Sequence, residues 1–326
     1  MPQVMFSNVQ KEYKIRQRDE KRSKIVDFFR PHYTSKLAVD HISFSIEAGE
    51  IVGYIGANGA GKSTTIKMLT GILTPDSGQV RVFDCDPCKN RATNALKIGV
   101  VFGQRSQLLW DLPVQDTLDL FKTMYRIRQD DYVKQRDMLV DMLDMSSFLP
   151  QPVRQLSLGQ RMRANLALCF LHKPEIVYLD EPTIGLDVFV KDRIRSFLKE
   201  INKEQGTTIL LTTHDTQDIE LVAQRLMLID KGKLLFDGSQ AAFKNNYYGN
   251  EFMLDVEFSS TVAELQDDNF RPHTIDGTKH SYWVKADMMN HGKAISHVTT
   301  RYLVSDIKVR EQGLEEILKN IYAEQE

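Results

Sequence analysis

The stretch Gly56-Ala57-Asn58-Gly59-Ala60-Gly61-Lys62-Ser63, followed by Thr64, constrains this chain more than any other. It fits the phosphate-loop spacing of glycine, four residues and Gly-Lys-Ser. The apolar run before it, residues 50–55, reads as a buried strand. Residues 63–73 read as a helix with Ile66, Leu69 and Ile72 on one face. Strand, glycine-rich turn and helix are the context in which successive backbone N–H groups converge on phosphate oxygens. The helix start adds the positive end of its dipole. In that setting Lys62 reaches the β- and γ-phosphates and the Ser63 hydroxyl faces Mg²⁺. A nucleoside triphosphate is the ligand this pattern implies.

Composition narrows what can be done with one. A chain of 326 residues has room for two domains with separate cores. Hydrophobic content of 42% and charge of 26% are ordinary for a globular protein. A formal net charge of −2 argues against a dedicated nucleic-acid binder, and no nucleic-acid partner is expected. No window approaches ~18 uninterrupted apolar residues, so no bilayer span is expected. Residues 1–6 lack the basic and apolar regions of a secretory signal. Three cysteines, an odd count, fit a reducing cytosol. Cys85 and Cys88 form a lone Cys-x-x-Cys without a second ligand pair, which reads as a polar turn after a strand.

In chain order, residues 3–9 alternate as an edge strand and residues 37–46 form the next one. Between them, residues 14–36 are a basic insertion containing Ile25, Val26, Phe28 and Phe29. It reads either as an amphipathic element at a membrane or partner surface, or as a solvated helical insertion. Residues 79–83 and 98–102 read as strands. A helix-rich region follows, with Leu118, Phe121, Met124, Leu139, Met142 and Leu143 as expected core contacts. Ser157 caps a helix to about His172, with Leu158, Met162, Leu166 and Phe170 along one side. Residues 176–180 are an apolar run too continuous for a surface strand, so a covered, parallel sheet is expected, with 207–213 as the next buried strand and 226–229 as a further strand. Helices over 188–204 and 215–224 and a turn at 231–233 complete an α/β pattern. From about residue 249 the texture changes, giving domains over 1–248 and 249–326. Strands near 251–258, 272–275, 281–286 and 304–309, with helices near 262–267, 292–302 and 313–323, suggest a small α+β, ferredoxin-like unit.

Further residues carry chemistry. The buried strand over 176–180 ends in Asp180-Glu181, where the first acid can hold Mg²⁺ opposite Ser63 and the second can polarise an attacking water. Leu156-Ser157-Leu158-Gly159-Gln160 precedes Arg161 and Arg163. His214 directly follows a core strand, at the end where ligands bind in α/β sheets. A histidine donor to a γ-phosphate suits phosphoryl transfer, which is mostly positioning and charge stabilisation.

These elements, in this order, resemble the ATP-binding cassette family of transport ATPases over roughly residues 4–237. The resemblance implies a phosphate-loop cassette with a mixed sheet and a helical subdomain at about 104–172. It implies that residues 56–64 bind ATP and that Tyr13 stacks on adenine, with Tyr33 as the alternative. Gln104 corresponds to the glutamine that senses Mg²⁺ and the attacking water. Ser157, Gly159 and Gln160 correspond to the signature that touches the partner's nucleotide. Asp180 and Glu181 correspond to the metal-site acid and catalytic glutamate. Gly185-Leu186-Asp187 corresponds to the loop signalling across a dimer, and His214 to the switch histidine. Metal ligation is thus expected from Ser63, Gln104 and Asp180, and catalysis from Lys62, Gln104, Glu181 and His214. Leu158 departs from the family signature, where glycine is usual.

The family pairs two cassettes around two ATP molecules, so a homodimer or hetero-pair is expected, with separate permease subunits. A Mg²⁺-dependent ATPase peripheral to the inner face of the cell membrane is implied. The phrase Gly103-Gln104-Arg105-Ser106-Gln107, Asp180-Glu181-Pro182-Thr183 and the C-terminal extension resemble sodium- and drug-efflux cassettes, which points to export. The alternative is a non-transport cassette ATPase acting on ribosomes or DNA. Ribosome-acting members usually carry two cassettes in one chain. Chromosome-type members carry a long coiled coil, for which residues 104–156 are too short.

Overall fold

The computed structural model of the chain describes residues 2–17, 32–103, 105–248, 251–265, 267–285, 287–310 and 313–323. They belong to two units, Met1–Ser239 and Gln240–Glu326, so the residues just before 249 group with the C-terminal unit.

In the first unit, β1 (Val4–Gln17) pairs antiparallel with β2 (His32–Ile46). Next come β3 (Ile51–Gly56), α1 (Lys62–Leu69) and β4 (Ser77–Val82). The sheet order β2-β1-β4 makes β1 a central strand and not the expected edge. Both strands also run into the basic insertion, with Lys14 opposite Ser35 and Ile15 opposite Thr34. The flanks of residues 14–36 are therefore strand, and the rest of that expectation, including Ile25, Val26, Phe28 and Phe29, lies outside the described residues. The helix after the phosphate loop is shorter than expected. The left-handed backbone of Gly71, φ 74°, ends it, and a Cβ there would lie 2.2 Å from Pro87 O, so the position takes glycine. That turn leaves Ile72 exposed instead of on the apolar face.

The chain continues through α2 (Arg91–Ala95), β5 (Ile98–Phe102), α3 (Val114–Met124), α4 (Gln129–Met142) and α5 (Leu158–Phe170). It then forms β6 (Ile176–Asp180), α6 (Val188–Gln205), β7 (Thr208–Thr213), α7 (Thr216–Val222), β8 (Arg225–Asp230) and β9 (Lys233–Ser239). The six-stranded sheet has the order β5-β6-β7-β3-β8-β9. Its strands are parallel except the edge strand β9, antiparallel to β8. Lys231 and Gly232, at φ 44° and 82°, make the tight turn between them. Every residue of β3 and β7 is buried, as continuous apolar runs in a doubly covered sheet require. Helices α3, α4 and α5 form the helical region, in which Leu118, Leu139 and Leu143 are buried. Met124 and Leu158, both expected inside, are exposed at 61% and 38%. Met124 is the last residue of α3, and Leu158 the first of α5, where neighbouring turns no longer cover a side chain.

The C-terminal unit comprises α8 (Gln240–Tyr248), β10 (Glu251–Phe258), β11 (Phe270–Asp276), β12 (Lys279–Lys285), α9 (His291–Arg301), β13 (Val304–Arg310) and α10 (Leu314–Ala323). Its antiparallel sheet has the order β11-β12-β10-β13, which places β12 between β10 and β11 as in a split β-α-β unit. Of the helix expected near 262–267, the described residues 262–265 and 267 are not helical. The Leu265 N–H donates to Tyr282 Oη at 3.3 Å, and the Asp267 carboxylate accepts from Asn269 N and Nδ2. These side-chain bonds displace the i→i−4 ladder. Phe252, Leu254, Val256, Phe258 and Val298 fill this unit's core.

One joint in the first unit has a pH consequence. His172 stacks on Tyr125 at 4.0 Å between ring centroids, and its Nε2–H donates to Ile98 O at 3.0 Å. Its Nδ1 is buried without a partner. Burial pushes the imidazole from its ordinary 6.5 down to about 4, against the opposing effect of the bond to Ile98. Because the folded value is depressed, the unfolded chain takes up this proton first. The group is neutral in both states above pH 6.5 and destabilises the fold progressively between 6.5 and about 4. His172→Phe is expected to weaken the acid dependence of the unfolding midpoint in that window, measured by thermal denaturation at stepped pH.

Candidate functional site

The phosphate loop leaves the carboxyl end of β3, in the middle of the parallel sheet. Its glycines are dictated by close contacts. A Cβ on Gly56 would lie 2.3 Å from Ile229 O. Gly61 takes φ 115°, and a Cβ there would lie 2.3 Å from Ala38 O. Gly61 is also the cap of α1, so the loop delivers its chain directly into the helix N-terminus. Ala60 N donates to Ala57 O at 3.1 Å, which closes the turn.

Lys62 is buried, and its Nζ donates to Gly56 O at 2.6 Å and Ala57 O at 3.1 Å. Burial pushes its ammonium below the ordinary lysine range, while the Glu181 and Asp180 carboxylates act in the opposite direction. The cation thus lies in a partly desolvated setting, where an incoming anion gains more than it would in water.

Asp180, the last residue of β6, is held at both oxygens. Ser63 Oγ donates to Oδ2 at 2.7 Å, and Thr212 Oγ1 donates to Oδ1 at 2.6 Å. A hydroxyl and a carboxylate side by side are hard oxygen donors of the type Mg²⁺ takes, with remaining positions left to water and phosphate. The donor set fits that ion, and no cluster of three or more acidic, histidine or cysteine ligands exists among the described residues. Glu181 adopts φ 54°, unusual for a residue with a Cβ, and its N–H donates to Thr212 O at 2.9 Å. His214 Nδ1 lies 3.4 Å from Glu181 Oε1.

Lys62, Ser63 and Glu181 border a groove of about 560 Å³ whose lining also includes Tyr13, Lys14, Lys36, Asn58, Gly59 and Thr64, while Asp180 and His214 are not part of that lining. Tyr13 is on its wall and Tyr33 is not. The extended hairpin brings Lys36 close to the loop, its Nζ 3.6 Å from where a Cβ on Gly59 would be. Gln104 lies outside the described residues. Ser157, Gly159 and Gln160 are absent from the lining. Ser157 instead caps α5, accepting from Gln160 N at 3.2 Å, while Gln160 Oε1 accepts from Ser157 N at 2.9 Å. Gly159 allows close approach to α6, since a Cβ there would lie 3.0 Å from Val190 Cγ2. Sequence reasoning did not single out Thr212 or Lys36. Consecutive threonines at the end of an otherwise apolar buried strand were the signal for Thr212.

Residues 39–184 match the ABC transporter family. The chain is 28% identical to the linearmycin resistance ATP-binding protein LnrL of Bacillus subtilis, over 89% of this chain and 94% of that one. It is 30% identical to the ABC transporter ATP-binding protein NatA of the same organism, over 62% of this chain and 82% of that one. It spans only 29% and 16% of two longer eukaryotic relatives. A bacterial ABC transporter cassette solved as a dimer superposes with a TM-score of 0.60 at 25% identity, covering 72% of this chain and 98% of that one.

Gly61→Ala is expected to strain the loop by about 1–3 kcal/mol, weakening nucleoside triphosphate binding by roughly 5- to 150-fold in titration calorimetry.

Proposed function

The chain belongs to the ATP-binding cassette family of ABC transporter ATPases, and on that premise we propose that it drives an exporter by hydrolysing Mg·ATP between paired cassettes. The observation that carries the reading is the convergence of Lys62, Ser63, Asp180, Glu181 and His214 at the carboxyl end of one parallel sheet. In this assignment the loop amides and Lys62 bind the β- and γ-phosphates. Ser63, Asp180 and Gln104 hold Mg²⁺, which neutralises phosphate charge when bound. Tyr13 stacks on adenine. Water gives a proton to Glu181 as its oxygen bonds the γ-phosphorus and the bond to the ADP oxygen breaks. His214 is ordered by Glu181 and orients the γ-phosphate.

The pairing is supported by the solved dimer of a similar bacterial cassette. Ser157, Gly159 and Gln160 do not border their own groove, so in this reading they close over the nucleotide of a partner, as a homodimer or a hetero-pair. No helix among the described residues is long and apolar enough to cross a membrane, so the pore is assigned to separate permease subunits at the inner membrane face. Exposed Leu109, Trp110, Leu112, Leu120 and Met124 on the helical region support docking there. Residues 249–326, as an accessory domain, serve packing and dimer support. Export is favoured because relatives carry resistance and multidrug names.

Glu181→Gln is expected to cut ATP turnover by roughly 10²- to 10⁴-fold while leaving ATP affinity within about threefold. Turnover at the wild-type rate in a phosphate-release assay would remove Glu181 from the role of base.

A further inference from the structure

Behind Glu181 and His214 lies a buried polar cluster that takes no part in the chemistry assigned above. Its centre is Asp218 on α7, only 1% exposed. One carboxylate oxygen, Oδ1, receives Arg195 of α6 at 2.7 Å. The other, Oδ2, receives two hydroxyls, one from Thr183 and one from Thr213 at 3.0 Å. Arg195 also reaches Asp192 at 3.0 Å and Asp215 at 3.5 Å, and Asp215 pairs with Lys191 at 2.6 Å.

A buried carboxylate is costly unless charge and hydrogen bonds surround it, and here both are supplied. The placement of its partners is informative. Thr183 lies two residues after Glu181, in the loop that leaves β6. Thr213 is the last residue of β7 and directly precedes His214. Its hydroxyl also accepts from Asp215 N at 2.9 Å, on the far side of His214. A single oxygen therefore ties the segment that carries Glu181 to the segment that carries His214. The side chains of Glu181 and His214 themselves approach to 3.4 Å.

We propose that Asp218, through Thr183 and Thr213, is the positioning residue that sets the separation of Glu181 from His214. The inference rests on Glu181 being the base and His214 its partner. Asp218 is buried and is not part of the groove lining. It acts by holding two loops in register, and a small misplacement of a reacting group is enough to slow chemistry strongly.

Removing Asp218 would leave Arg195 buried with one partner fewer, so the informative variants are at Thr183. Thr183→Val keeps the shape and removes the hydroxyl, whereas Thr183→Ser keeps the hydroxyl and removes a methyl. Measured on the full-length chain with Mg·ATP, Thr183→Val should lower kcat roughly 10- to 100-fold with KM within about threefold. Thr183→Ser should restore kcat to within about threefold of wild type. A role in packing alone gives the reverse order, with Val tolerated and Ser impaired. That result, or equal kcat for Val and wild type, would overturn the inference. Glu181→Gln, run alongside, separates the two claims. If it turns over like wild type, the assignment of the base fails, and the inference with it. If it is inactive and Thr183→Val is not, only the inference fails.

Discussion

The site depends on one carboxylate. Asp180 is the last residue of a fully covered strand, and each of its oxygens accepts a hydroxyl from a different element, Ser63 of α1 and Thr212 of β7. Strands β6 and β7 and the start of α1 are thereby registered at the carboxyl end of the sheet, where Glu181 and His214 are also found. The arrangement explains why the phosphate loop and the Asp180-Glu181 pair, far apart in sequence, act as one unit. It also explains why Glu181 is held at φ 54°: its N–H is committed to Thr212 O, and the chain must turn there to leave the sheet.

The parts of this arrangement with short-range signals were legible in the sequence. Glycines at 56 and 61 report close packing, since a Cβ at either would lie 2.3 Å from a neighbouring backbone oxygen. Continuous apolar runs gave the covered strands, and Ser157 with Gln160 gave a helix start that forms a capping box. Positions at the carboxyl ends of buried strands marked Glu181 and His214 as candidate base and phosphate donor, and the family resemblance implied the same roles. What depended on long-range pairing was harder to read. The hairpin of β1 and β2 reaches into a basic segment with little alternation, because cross-strand pairing and not amphipathicity holds it. Lys36 arrives at the groove only through that pairing. Residues 262–265 and 267 are not helical because bonds to Tyr282 and Asn269, distant or non-helical partners, were preferred locally. Asp218 has no sequence signature of its own, since its meaning comes from Thr183 and Arg195 on other elements.

Leu158 shows how the fold absorbs a departure from the family pattern. Its side chain lies over Gly185, which has φ 71°, with Leu158 Cδ2 3.4 Å from where a Cβ on Gly185 would be. The bulk that glycine would have omitted is thus set against a glycine. Ser157 and Gly159 keep their cap and their contact with α6, so the substitution changes the surface and not the start of the helix.

The central claim is that each chain holds half of a hydrolytic site, completed by Ser157, Gly159 and Gln160 of a second chain; in one chain these three do not line the groove beside the phosphate loop. The most direct test is ATP turnover per chain as the full-length protein is diluted at saturating Mg·ATP. The account predicts that turnover per chain falls with dilution as pairs separate. Constant turnover per chain down to concentrations at which sedimentation finds only single chains would contradict it.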